Sequence, residues 1–210
     1  MPLTSRIAVS IIAEYRSPDA ISVSTMTGMK FFHAASPSPL NVSSVPMMGG
    51  ASALGLGLAL AQPARTVLVL DGDGSLLMQL GSLATVVGAR PQNYVHFVFD
   101  NGVWFEGGGN LPVPSAGTTD FAGLAEAAGY AATYTIGDEG HLREALPRIL
   151  AGPSPAFVHL QIEPDRSAPW TVDNPPAAFP DNQYVRMGQE ARLLQAALTE
   201  AAGTARGPSF

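Results

Sequence analysis

The sequence predicts an α/β fold: a single three-layer domain with helices on both faces of a mainly parallel sheet. Two apolar runs, TVLVL at 66–70 and YVHFVF at 94–99, are β-branched and aromatic throughout, the pattern of strands covered on both sides. Segments of helical periodicity alternate with such runs along the chain, which argues for right-handed crossovers and a ligand site at the carboxyl ends of the strands. The 22 glycines and 18 prolines punctuate a chain that is 46% hydrophobic and 13% charged, so they read as turns between buried elements rather than as disorder.

In order, residues 4–15 place Ile7, Ile11 and Ile12 at helical spacing with Thr4 as N-cap. Residues 20–24 form a short strand, and Pro37 and Pro39 mark a loop. The stretch 47–61, MMGGASALGLGLALA, is small and apolar on every face, a buried helix packed closely through its glycines. Strand 66–70, helix 76–88 and strand 94–99 follow, then helix 121–128, strand 131–136, helix 139–150 and strand 156–162. Residues 1–162 thus make the α/β body. Residues 163–210 belong to the same domain as an irregular Pro/Asp/Asn-rich wrap to 184 and a docking helix at 186–202.

Composition narrows the function classes. With a net charge of −6 and 11 Lys plus Arg, the chain offers no basic face for nucleic acid. Lys30 is its only lysine, so a phosphate site must use backbone amides, hydroxyls, arginine or a metal ion. The absence of cysteine excludes disulfides and thiolate chemistry. The first twenty residues lack the features of a secretion signal, and the apolar stretch 51–61 is too short to span a bilayer, so no membrane association and a cytoplasmic location are expected.

The sharpest feature is VLVLDGDGSLLMQL, a buried strand, the turn Asp71-Gly72-Asp73-Gly74-Ser75, and a helix. A strand end meeting a helix N-terminus attracts anions through unpaired amides. There Asp73 suits a hard cation, Gly74 lets the backbone approach a ligand closely, and Ser75 can reach a phosphate oxygen. The next strand ends in Asp100-Asn101-Gly102-Val103. If the two strands are parallel, Asp73, Asn101 and a following carbonyl supply an all-oxygen set suited to Mg²⁺.

GDGS followed by Asn101 after the next strand resembles the metal and diphosphate motif of thiamine-diphosphate enzymes. The resemblance runs over 20–162 and is greatest to the small cofactor-binding subunits of two-chain sulfopyruvate and phosphonopyruvate decarboxylases, where TGM, a methionine-glycine helix start, GDGSLLM and DN recur in this order. It implies a thiamine-diphosphate-binding fold with Asp73, Asn101 and the Val103 carbonyl as magnesium ligands. Thr27, Gly28, Gly72, Gly74 and Ser75 then surround the diphosphate, Pro46 offers a carbonyl to the cofactor, and Met48 is the apolar residue over which the cofactor bends. The bend brings the aminopyrimidine beside the thiazolium carbon it deprotonates. The resemblance also implies a separate pyrimidine-binding chain carrying the activating glutamate, an α2β2 or larger assembly, and decarboxylation of a small anionic 2-oxo acid. Two departures stand out: Pro46 replaces a usual glycine, and WFEGGGNLPVP replaces a polar, threonine-containing loop.

Other readings remain open at this level. A carboligase or synthase subunit shares every motif, as does a subunit that binds cofactor without turnover. DGDGSLL also resembles the first motif of haloacid-dehalogenase-type phosphatases, with Asp71 as nucleophile, although no lysine follows it. GLGLAL at 55–60 lacks the third glycine and the preceding strand of a dinucleotide fingerprint. His96 and His159, inside apolar strands, read as hydrogen-bonded core residues. His33 faces either a substrate anion or the surface, and Trp104, Phe105 and Glu106 either line the substrate cavity or pack against the partner chain.

Overall fold

The computed structural model describes residues 1–44, 47–114, 116–167, 171–172 and 183–205. In chain order these form α1 (Ser5–Tyr15), β1 (Ile21–Ser24), α2 (Met26–Ala35), β2 (Asn41–Ser43), α3 (Ala51–Ala61), β3 (Val67–Gly72), α4 (Asp73–Met78), α5 (Ser82–Ala89) and β4 (Tyr94–Asp100). A two-residue pair, β5 (Val103–Trp104) and β6 (Leu111–Pro112), precedes α6 (Phe121–Ala128), β7 (Ala132–Ile136), α7 (Glu139–Ala151), β8 (Ala156–Gln161) and α8 (Gln183–Ala205).

Six strands form one parallel sheet in the order β2-β1-β3-β4-β8-β7. Successive residues of a strand face opposite sides, and in β3, β4 and β8 both sides are apolar, so these strands feed two cores. Leu68 and Leu70 of β3 join Phe97 and Phe99 of β4 against α1, Phe32 of α2 and α7. Val67, Val69 and Val98 turn the other way onto α3, α5 and α6. Three layers result, as the sequence predicts. Thr4 caps α1 by accepting from the Ile7 amide, also as expected.

The chain leaves β1 toward β2 and leaves β3 toward β4, so the strand order reverses between β1 and β3. Such a switch point opens a crevice at the carboxyl ends of the two strands. Both β1 and β3 deliver a helix N-terminus there, α2 after Thr25 and α4 after Gly72.

Four features depart from the expectations. The loop expected around Pro37 and Pro39 is flanked by α2 and by β2, which at three residues is too short to show a period. The helix expected from Met47 begins at Ala51, because Met48 and Gly49 form a turn with Gly49 at φ +84°. The helix expected over 76–88 is two helices. Gln79 leaves helical angles and Gly81 starts α5, so α4 keeps its N-terminus at the crevice while α5 lies against α3 and α6. The hairpin β5–β6 had no sequence signal, since two-residue strands carry none. Beyond β8, α8 docks on the open edge of the sheet, where the Ser43 amide donates to Glu190 Oε2 at 2.7 Å.

Candidate functional site

The turn after β3 is built from the core outward. Asp71 is 1% exposed and lies on the α3 side, where Oδ1 accepts from the Gly72 amide and Oδ2 lies 3.3 Å from His96 Nε2. His96 in turn reaches the Tyr130 hydroxyl. This carboxylate is held inside the protein, so it cannot act as the nucleophile that a phosphatase reading requires. His96 and His159 are hydrogen-bonded core residues as expected, the latter paired with Asp100 at 2.8 Å.

Asp73 starts α4 at the rim of the crevice. It is 4% exposed, and its Oδ2 accepts from the Gly102 amide at 2.9 Å, which ties the turn after β3 to the turn after β4. Burial pushes its carboxyl up to about 7, and the Asp100 carboxylate adds to the rise, against the amides of Gly74 and Gly102. A buried carboxylate with no cation opposite is a costly group, and a metal ion is what would make it cheap to ionise. Asn101 is buried beside it with Oδ1 accepting from the Val103 amide at 3.1 Å. The structure thus brings Asp73, Asn101 and Val103 together as oxygen donors of the kind a Mg²⁺ ion takes.

The remaining candidates gather round the same crevice. Thr27 and Gly28 lie in the first turn of α2 rather than at the strand end, so their amides are among the unpaired donors of a helix N-terminus. A Cβ at Gly28 would come within 3.1 Å of the Leu70 side chain, which is why this turn can press against β3. Met26, just before, takes φ +47°, a strained angle for a side-chain-bearing residue at the switch point. Ser75 Oγ accepts from the Gly49 amide at 2.9 Å, pinning the Met48 turn to the GDGS turn and leaving the hydroxyl proton free to donate. Met48 is half-buried on that turn and Met47 is exposed. Pro46 lies outside the described residues.

The space beside Gly74 is occupied by an aromatic side chain. A Cβ there would overlap the indole nitrogen of Trp104, so this turn needs a glycine for the tryptophan to pack on it. Glu106 does not face the crevice site. Its carboxylate accepts from Ser5 Oγ and from the Asp165 amide, fastening the β5–β6 hairpin to the start of α1 and to the segment after β8. His33 pairs with Glu190 and Ser43 at the α8 interface. No helix among the described residues is long and apolar enough to cross a membrane.

Residues 20–160 match the family model described as thiamine pyrophosphate enzyme, C-terminal TPP binding domain. The chain is 47% identical to a phosphonopyruvate decarboxylase of Streptomyces hygroscopicus over 120 residues, 57% of this chain and 29% of that protein. It is 35% identical to the sulfopyruvate decarboxylase subunit beta of Methanothermobacter thermautotrophicus over 136 residues, 65% of this chain and 69% of the subunit. The match therefore spans under a third of the phosphonopyruvate decarboxylase but most of the length of the beta subunit. An X-ray structure of a Mycobacterium smegmatis enzyme assigned as thiamin diphosphate-dependent superposes with a TM-score of 0.66 at 21% identity, over 78% of this chain and 32% of that one, a likeness of fold. On its family match, its relatives and its parallel sheet, the chain belongs to the thiamine pyrophosphate enzymes, as their C-terminal TPP binding domain.

Proposed function

We propose that this chain is the diphosphate- and magnesium-binding subunit of a thiamine-diphosphate-dependent decarboxylase that acts on an anionic 3-substituted pyruvate such as sulfopyruvate or phosphonopyruvate. The observation that carries the reading is the junction of two strand ends, where Asp73 accepts from the Gly102 amide next to buried Asn101. Asp73, the Asn101 amide oxygen and the Val103 carbonyl hold Mg²⁺. The amides of Thr27, Gly28, Gly74 and Ser75, with the Ser75 and Thr27 hydroxyls, receive the diphosphate, and Gly72 lets the turn leave β3. With one lysine in the whole chain, the metal and these N–H donors carry the neutralisation of the diphosphate. Met48, and a carbonyl at Pro46, support the ring end of the cofactor.

Thiamine diphosphate, when bound, supplies the carbanion that attacks a 2-oxo acid and stabilises the charge left by carbon dioxide. This chain's part is to hold the phosphates and metal at the crevice, and a second surface completes the site. That surface belongs to a pyrimidine-binding partner chain whose glutamate hydrogen-bonds the cofactor's aminopyrimidine, in an α2β2 or larger assembly. The likeness to a protein named as a beta subunit supports this division of labour.

Calorimetry with thiamine diphosphate and Mg²⁺ tests the site. The reading expects binding by the wild-type chain and loss of binding, at least a hundredfold, in Asp73→Ala, about 3 kcal/mol or more from one charged ligand. Unchanged affinity in the variant refutes the metal assignment. Product analysis over a panel of 2-oxo acids with the partner added then separates decarboxylation from carboligation.

A further inference from the structure

Trp104 ends β5 with its indole nitrogen fully buried and without a hydrogen-bond partner among the described residues. Buried tryptophans ordinarily find an acceptor for their N–H. Here the nitrogen lies against Gly74, the second residue of α4, so closely that any side chain at 74 would overlap it. The hairpin that carries it is no loose loop. Glu106 fastens it to Ser5 and to the Asp165 amide, the Gly107 amide donates to the Asp165 carbonyl at 3.0 Å, and the Gly102 amide is held by Asp73. A donor has thus been positioned beside the GDGS turn by contacts on three sides, with no acceptor among the described residues.

The geometry points to Trp104 as a further ligand of the cofactor's diphosphate, its indole N–H donating to a phosphate oxygen beside the Gly74 and Ser75 amides. The assignment rests on the proposed cofactor reading and extends it to a residue in the WFEGGGNLPVP segment. Chemistry favours it. In a chain with one lysine, neutral N–H and O–H donors take a larger share in holding a diphosphate, and a buried N–H without an acceptor regains its lost hydrogen bond when a phosphate oxygen arrives. It also gives Gly74 a reason to be glycine: the missing Cβ makes room for the indole, not for the phosphate alone.

The test uses the full chain labelled with ¹⁵N-indole tryptophan. Trp104 and Trp170 are its two tryptophans, so two Nε1–H signals are expected, assigned with Trp170→Phe. Magnesium pyrophosphate, which carries the diphosphate and no ring, is added first, then magnesium thiamine diphosphate. The Trp104 proton should move downfield with both. Trp104→Phe, which keeps a ring on Gly74 and deletes the donor, should lower the calorimetric affinity for both probes about tenfold. A Trp104 proton that stays unmoved while calorimetry shows pyrophosphate bound overturns the assignment and leaves the cofactor reading standing. So does a shift with thiamine diphosphate but not with pyrophosphate, which would mark ring stacking. Failure of the wild-type chain to bind either probe overturns both. Should Trp104→Phe misfold, the wild-type spectra still decide.

Discussion

Asp73 is a buried carboxylate whose ionisation costs stability. Its carboxyl is raised to about 7 by burial, with Asp100 adding to the effect, while an unfolded chain would hold it near the ordinary 3.8. Between those values the folded state binds the extra proton, so this group's contribution makes the cofactor-free protein less stable as pH rises from about 4 to about 7, and the cost is constant above that. Asp73→Asn keeps an acceptor for the Gly102 amide and removes the charge. Thermal melts of the cofactor-free protein should show the variant more stable at pH 8 by about 2 kcal/mol, or roughly 4–8 °C. The two should converge near pH 4, and a variant that melts no higher at pH 8 would show that Asp73 is not strained. The same variant should lose the rise in melting temperature that thiamine diphosphate and Mg²⁺ give the wild type.

At the scale of the element, α3 is a helix whose glycines differ in what surrounds them. A Cβ at Gly55 would overlap Val69 Cγ2 of β3 and come within 3.3 Å of the Tyr94 ring, whereas one at Gly57 meets nothing within 4 Å. Alanine favours a helix interior over glycine by about 1 kcal/mol, and overpacking a core costs about 1–3 kcal/mol. Gly57→Ala should therefore stabilise by about 0.5–1 kcal/mol and Gly55→Ala should destabilise by about 1–2 kcal/mol, read by urea denaturation. Equal effects of the two would mean that α3 does not lie on β3 as closely as described. The Gly49 amide, just before α3, donates to Ser75, so α3 is tied to the GDGS turn.

For the whole molecule, the crevice opens at the end of the sheet where Met47, Met78, Phe105 and Leu111 stand exposed. The partner proposal expects this chain to bind the cofactor alone yet release no carbon dioxide from sulfopyruvate or phosphonopyruvate until a pyrimidine-binding chain is added. Substantial turnover by a verified assembly of this chain alone would refute it. Much of this organisation was legible in the sequence. Uniform apolar runs identified β3, β4 and β8 as doubly covered, hence parallel, and the polar punctuation GDGS and DN marked where two of them end. Those signals are local, because a strand's burial and a turn's glycines are written in consecutive residues. What the sequence could not yield depends on which neighbour arrives. Asp71 and Asp73 are the same residue type two positions apart, and only the surrounding fold turns one onto His96 in the core and the other to the crevice rim. The sequence determined the architecture and marked the end of the sheet at which the two turns meet. Tertiary structure alone decided that Trp104 lies on Gly74 and that α8 closes the β2 edge through Glu190, because those contacts join residues far apart in the chain whose pattern carries no period.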